Sequence, residues 1–175
     1  MNVYLYKVSP PRSDRLFHPS KFWHTADWES STTRKRDGYI EDDVLYAGDF
    51  DEVSIHLLPR VRTVRVRSGD ASASTLQALG IECGPGKTAH LFVHVSFRAE
   101  VESFCPTIYR FESDGFQHIR RGEYVSWETQ RAISCRNVPL AEALAEWNVE
   151  VCYVEDLDEL IAKLSSNNIY FDEQR

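Results

Sequence analysis

The sequence predicts an α+β fold, on three observations. Short segments rich in aromatic and β-branched residues crowd the middle of the chain, and clear amphipathic helical spacing is confined to its C-terminal part. Strands and helices do not alternate in the βαβ manner of a parallel doubly wound sheet. No internal repeat and no low-complexity stretch breaks the pattern. With 175 residues, 42% of them hydrophobic, the chain reads as one domain (1–175) able to bury a substantial core.

Residues 3–8, VYLYKV, alternate and predict a first strand, stopped by Ser9-Pro10-Pro11. Residues 12–43 are polar, with Phe22, Trp23 and Trp28 interspersed and the charge run Arg34-Lys35-Arg36-Asp37. They predict a long, partly helical excursion in the position of a lid or binding loop. Val44–Gly48 reads as a short buried strand, and Asp49–Leu58 as an acid-capped short helix stopped by Pro59.

VRTVRVR at 61–67 predicts another strand, with Arg65 and Arg67 on the face of Val61 and Thr63 and with Arg60 and Arg62 on the face of Val64 and Val66. Two readings stand for these arginines: a solvated strand paired with acidic neighbours, or a stripe for an acidic partner or nucleic acid. Residues 71–80 predict a short helix ending at Gly80. The GPGKT run at 84–88 lacks the two glycines four residues apart that a phosphate loop needs before its lysine, so it reads as a turn. Strands follow at 89–97, 107–112, 116–119 and 123–128. PLAEALAEW at 139–147 has proline at its start and one apolar face and is the clearest helix. A strand at 149–154 and a helix at 156–164 close the chain.

Twenty basic against 27 acidic side chains give a net charge of −7, which argues against a general nucleic-acid coat and leaves room for a local basic groove. Residues 1–70 carry 11 basic and 11 acidic groups, whereas residues 71–175 carry 9 and 16. The acidic groups Glu146, Glu150, Glu155, Asp156, Asp158 and Glu159 read as a face for a basic protein or as solubilising charge. The absence of an apolar run long enough to span a bilayer, or of a signal-peptide core at the start, predicts a cytoplasmic protein. Cys83, Cys105, Cys135 and Cys152 form no C-x-x-C pair and read as buried free thiols. His90 and His94 share a strand face without a third ligand nearby, so no metal is expected.

Three segments place polar or aromatic side chains among buried strand residues: Leu5-Tyr6-Lys7-Val8-Ser9, Val44-Leu45-Tyr46-Ala47-Gly48-Asp49 and Gly122-Glu123-Tyr124-Val125-Ser126-Trp127. Alternation in the third puts Glu123, Val125 and Trp127 on one face and Tyr124, Ser126 and Glu128 on the other. Glu123 at a strand start reads either as an edge charge paired with Arg120 or Arg121, or as a positioned carboxylate.

The order and chemistry of these segments resemble the ADP-ribosyltransferase fold on its diphtheria-toxin and poly(ADP-ribose) polymerase side. Lys7-Val8-Ser9, Leu45-Tyr46-Ala47 and Glu123-Tyr124-Val125 stand where that family has His-Gly-Ser, an aliphatic-Tyr-Phe-Ala strand and a Glu-Tyr-aliphatic strand. The resemblance implies a central split β-sheet flanked by short helices. It implies NAD as substrate, cleavage of the nicotinamide glycosidic bond, and transfer of ADP-ribose to an acceptor, protein or nucleic acid. Glu123, Lys7 and Tyr46 take the catalytic roles it implies, and Tyr6, Lys7, Val8, Ser9, Tyr46, Ala47 and His56 line its NAD site. Lys7 stands in place of histidine and Val8 in place of glycine; this departure also suits a second reading, a non-catalytic module that inhibits or scaffolds a protein partner.

Overall fold

The structure, a computed structural model, describes residues 3–25, 34–36 and 39–174, with side chains described except at 21–25, 34–36, 39–42 and 120. In chain order, β1 (Tyr4–Val8), β2 (Leu16–Phe17), β3 (Ser20–Thr25), β4 (Arg34–Arg36) and β5 (Tyr39–Gly48) lead to helix α1 (Phe50–Val53), followed by a 3-10 turn at Ser54–Leu57. Next come β6 (Thr63–Arg67), α2 (Ala73–Ala78), β7 (Ala89–His94), a 3-10 turn at Val95–Phe97, α3 (Arg98–Glu102) and β8 (Thr107–Glu112). After a 3-10 turn at Ser113–Gly115 come β9 (Gln117–Arg120), β10 (Glu123–Ser126), β11 (Gln130–Arg131), β12 (Ser134–Asn137), α4 (Leu140–Trp147), β13 (Val149–Val154), α5 (Leu157–Ser166) and β14 (Asp172–Gln174). The protein is α+β, with mostly antiparallel sheets and short helices. Among the described residues no helix is long and apolar enough to cross a membrane.

The chain folds into two compact units: Met1–Val53 with Thr107–Asn137, and Ser54–Pro106 with Val138–Arg175. The first is built on an antiparallel sheet of order β12-β8-β1-β5-β10-β9, to which β3 and β4 add on the N-terminal half of β5. A small ribbon, β2 with β11, supplies Phe17 and Ala132 to the core on one sheet face, where they join Leu5, Leu45, Ala47, Tyr109 and Phe111. The Phe17 ring meets Tyr109 and Phe111 edge-on, with centroids 4.7 and 5.4 Å away. On the other face Val44 and Val125 are buried, with Ile119 and Trp127 packed against them.

Among the described residues of the excursion expected at 12–43, Leu16–Phe17, Ser20–Thr25, Arg34–Arg36 and 39–43 are strands and none is helix; residues 26–33 and 37–38 lie outside the described residues. Ser20–Thr25 pairs with Tyr39–Val44, and the short strand expected at 44–48 is the end of the ten-residue β5. Trp28 and Asp37 lie outside the described residues. The physical reason is long-range pairing, because a polar segment with little periodicity of its own takes the conformation that satisfies its backbone against a neighbour.

The second unit is a sheet of order β13-β7-β6-β14, parallel between β13 and β7 and antiparallel elsewhere. Val64, Val66, Phe92 and Cys152 project from one face onto α2 and α5, meeting Leu76, Leu157, Leu160 and Leu164. Ser72 and Asp156 cap the two helices by accepting from the Thr75 and Glu159 N–H groups. Of the reading of the arginine strand as solvated and paired with acidic neighbours, the pairing stands, with Arg62 held by Asp158 and Glu173, and the solvated part is corrected: Arg65 is 1% and Arg67 5% exposed. Burial is possible because Asp172, a direct strand partner of Arg65, accepts from its Nε at 3.0 Å and its Nη2 at 2.7 Å.

The strand expected over 89–97 stops at His94, whose side chain caps the following 3-10 turn by accepting from the Ser96 N–H. GPGKT is a turn leading into a strand: Glu150 accepts from the Gly84 N–H at 2.7 Å, and Asn148 donates to the Gly86 carbonyl at 2.7 Å. All four cysteines are free, but Cys105 and Cys135 are exposed, which corrects their reading as buried thiols. Cys152 is buried, and desolvation, with Glu150 beside it, pushes its thiol up to about 12.

Candidate functional site

The strands carrying the three singled-out segments are hydrogen-bonded neighbours in the first unit, β1-β5-β10. Cross-strand register aligns Tyr6, Gly48 and Glu123 in one row, and directly opposed residues of a sheet share a face. Tyr46, two residues from Gly48 and opposite Val125, lies on that same face. The face therefore carries Tyr6, Tyr46 and Glu123, each half-buried.

Helix α1 brings a second carboxylate to this face. Asp49 Oδ1 accepts from the Glu52 N–H at 2.8 Å, an N-cap that fixes the first turn, and the Tyr46 hydroxyl donates to Glu52 Oε1 at 3.2 Å. Two glycines make this approach possible. A Cβ on Gly48 would stand 2.9 Å from the Gly122 carbonyl and 3.1 Å from Glu52 Cβ. Gly122 has φ +68°, and a Cβ there would meet Asp49 Oδ1 at 2.8 Å and Glu52 Cβ at 2.9 Å. The Asp49 N–H closes the corner by donating to the Gly122 carbonyl at 3.0 Å.

Lys7 and Ala47 alternate onto the opposite face, with Leu5 and Tyr109, so they do not share the face of Tyr46 and Glu123. The β1–β5 register holds the single pair Tyr6–Gly48, and beyond it the Lys7 ammonium donates to the Tyr46 carbonyl at 3.2 Å. Val8 falls on the Tyr6 side, half-buried. Ser9 ends the strand with its N–H donating to the Thr107 carbonyl at 3.2 Å. His56 belongs to the second unit and is exposed.

Burial, and then the nearby Arg12 guanidinium, push the Lys7 amine below its ordinary value. The folded state thus holds this proton less tightly than the unfolded chain, so stability rises with pH from the lowered folded value up to the unfolded one near 10.5. Lys7→Met removes that dependence. Denaturation from pH 7 to pH 10 is expected to show the wild type gaining stability relative to Lys7→Met as pH rises; a parallel pair of curves counts against the buried ammonium.

Sequence reasoning named Asp49 and Glu52 only as an acidic helix start. The signal that finds their role is the D-x-x-E spacing of Asp49 and Glu52 directly after Gly48, a helix-start pattern that fixes where the second carboxylate stands. Chemically, the face offers two carboxylates and two tyrosines, a set suited to a cationic or positively polarising centre beside an aromatic ring. Comparison of the chain with protein-family models, with curated proteins and with solved structures finds no match.

Proposed function

We propose that the first unit binds NAD on the face of Tyr6, Tyr46 and Glu123 and transfers ADP-ribose to an acceptor, in the manner of an ADP-ribosyltransferase. The observation that carries this reading is the shared face itself: Glu123 and Tyr46 project from neighbouring strands on the same side, with the Glu52 carboxylate at the Tyr46 hydroxyl. When the bond between nicotinamide and the anomeric carbon breaks, its electron pair leaves with nicotinamide and the ribose becomes positively charged. A fixed carboxylate at that carbon stabilises the charge, and Glu123 takes this role. Tyr46 provides the ring surface for nicotinamide. The acceptor's oxygen or nitrogen then bonds to the anomeric carbon and gives up its proton to solvent. Lys7, turned to the other face, has no part in this chemistry.

Glu123→Gln is nearly isosteric and is expected to cut nicotinamide release from NAD by roughly 100-fold or more, the scale of losing one oriented electrostatic group. The measurement is chromatographic detection of nicotinamide, alongside thermal melting to establish that the variant is folded. Turnover equal to wild type removes Glu123 from the mechanism. Millimolar NAD is also expected to raise the melting temperature, and Tyr46→Ala to abolish that rise.

A second reading, a non-catalytic module for a protein partner, is favoured by the Lys7 ammonium being spent on the Tyr46 carbonyl. A stoichiometric partner whose binding is indifferent to NAD and to Glu123→Gln decides for it.

A further inference from the structure

In the second unit an acidic strand, β14, is laid on the basic strand β6 at the edge of the sheet. The register sets Asp172 opposite Arg65, Glu173 opposite Val64 and Gln174 opposite Thr63. On one face Asp172 Oδ2 lies between two buried arginines, accepting from Arg65 at 2.7 Å and standing 3.6 Å from Arg67 Nε. On the other, Glu173 Oε1 accepts from Arg62 Nε at 2.8 Å, while Asp158 of α5 accepts from the Arg62 Nη2 at 2.8 Å. Each acidic side chain of β14 thus meets an arginine of β6 or of the residue just before it.

Several features make β14 a replaceable occupant of this edge. It has three residues, Asp-Glu-Gln, and brings no apolar side chain to the core. The stretch leading toward it, 165–168, is exposed, with Asn168 at φ +56°. Among the described residues the Gln174 side-chain oxygen is buried without a hydrogen-bond partner, a cost that an apolar residue at this place avoids. What the edge does require is a carboxylate in register with Arg65. Without one, two buried guanidiniums stand uncompensated, so β14 leaves only as another strand brings its own acid.

We propose that the β6 edge is a docking site for an acidic extended segment of a partner protein, which replaces β14 by adding as an antiparallel strand. Backbone pairing with β6 supplies affinity, and the arginines on its two faces supply specificity. The segment that fits carries Asp at the Arg65 position, an acidic residue beside it for Arg62, and an apolar residue opposite Thr63. The arginine stripe thereby serves an acidic partner, with β14 as its resident mimic. Docking here needs neither NAD nor Glu123, so its test stands apart from that of the transferase reading.

The probe is residues 169–175 as a separate fluorescent peptide with Gln174→Val, titrated by anisotropy against the full chain. Resident β14 competes at a local concentration of about millimolar, so the wild type is expected to bind the probe weakly. Asp172→Asn in the chain weakens the resident strand and is expected to raise probe affinity roughly tenfold or more, with a higher melting temperature when the probe is present. Glu173→Gln, a milder variant, is expected to raise it roughly two- to fivefold, the scale of one exposed ion pair. A probe with asparagine and glutamine in place of its two acids is expected to bind roughly a hundredfold more weakly. In hydrogen exchange of Glu173→Gln, bound probe is expected to strip protection from the amides of 172–174 and to leave those of β7 protected. Equal binding of the neutral probe, binding that leaves the β14 amides protected, or no gain in either variant overturns the proposal. Exchange of β14 between two copies of the chain without probe, seen as a dimer in size-exclusion chromatography, makes a second copy the occupant and overturns it as well.

Discussion

Gly122→Val is expected to destabilise the protein by about 3 kcal/mol or more, and with it to remove the site on the Tyr46 face. The left-handed backbone at φ +68° costs a residue with a Cβ about 1–2 kcal/mol, and a β-branched one is worse placed still. The Cβ itself would meet Asp49 Oδ1 and Glu52 Cβ closer than real Cβ contacts occur, and forcing such atoms apart typically costs a further 1–3 kcal/mol. Urea denaturation of Gly122→Val, Gly122→Ala and Gly122→Asn separates the two causes. Asparagine tolerates the left-handed region and relieves the backbone part, so it is expected to recover some stability but not all, because its Cβ still strikes α1. An alanine variant within 0.5 kcal/mol of wild type contradicts the close approach of α1 to this glycine.

The second large effect is expected at Asp172, in the other unit. Its Oδ2 accepts two hydrogen bonds from Arg65 and lies 3.6 Å from Arg67 Nε, so one carboxylate stands between two buried guanidiniums. Arg65 also donates to the Ser54 hydroxyl at 3.3 Å. Asp172→Asn keeps the shape and removes the charge. Breaking a buried pair from one side costs roughly 3–5 kcal/mol, and the 25% exposure of the Asp172 side chain places the expected loss near the lower end. Strand β14 is joined to the sheet through Arg65 and its neighbours, so its amides are expected to lose hydrogen-exchange protection first. The triple variant Arg65→Met, Arg67→Met with Asp172→Leu, which removes the carboxylate and both buried guanidiniums, is expected to be markedly more stable than Asp172→Asn alone. If Asp172→Asn unfolds at the wild-type denaturant midpoint, the ion pair is not what permits the arginine to be buried.

Elements with a strong local signature were legible in the sequence. TIYRFE and VEVCYV form β8 and β13 over the residues expected, since alternating or continuous β-branched and aromatic runs specify a strand wherever it finds a partner. Helices α4 and α5 begin beside Pro139 and Asp156, residues whose preference for helix starts is intrinsic. The polar stretch at 12–43 was not legible, nor were β11, β12 and β14, because strands this short hold only by pairing with residues far along the chain. Helix α3 was missed for a related reason: the apolar run through Val95 and Phe97 continues a strand pattern that the His94 cap interrupts.

The candidate site divides in the same way. The local alternation in the sequence determined which face of β10 Glu123 shares with Val125, and that Lys7 points away from Tyr6 on β1; both follow from a period of two that needs no partner. Only the tertiary structure decided that Tyr6, Gly48 and Glu123 stand in one row, that Glu52 meets the Tyr46 hydroxyl, and that Lys7 reaches the Tyr46 carbonyl. It decided likewise that Arg65 is buried, by supplying Asp172 from 107 positions away. Periodicity belongs to a single strand, whereas register and the neutralisation of a buried charge are properties of pairs of segments brought together by folding.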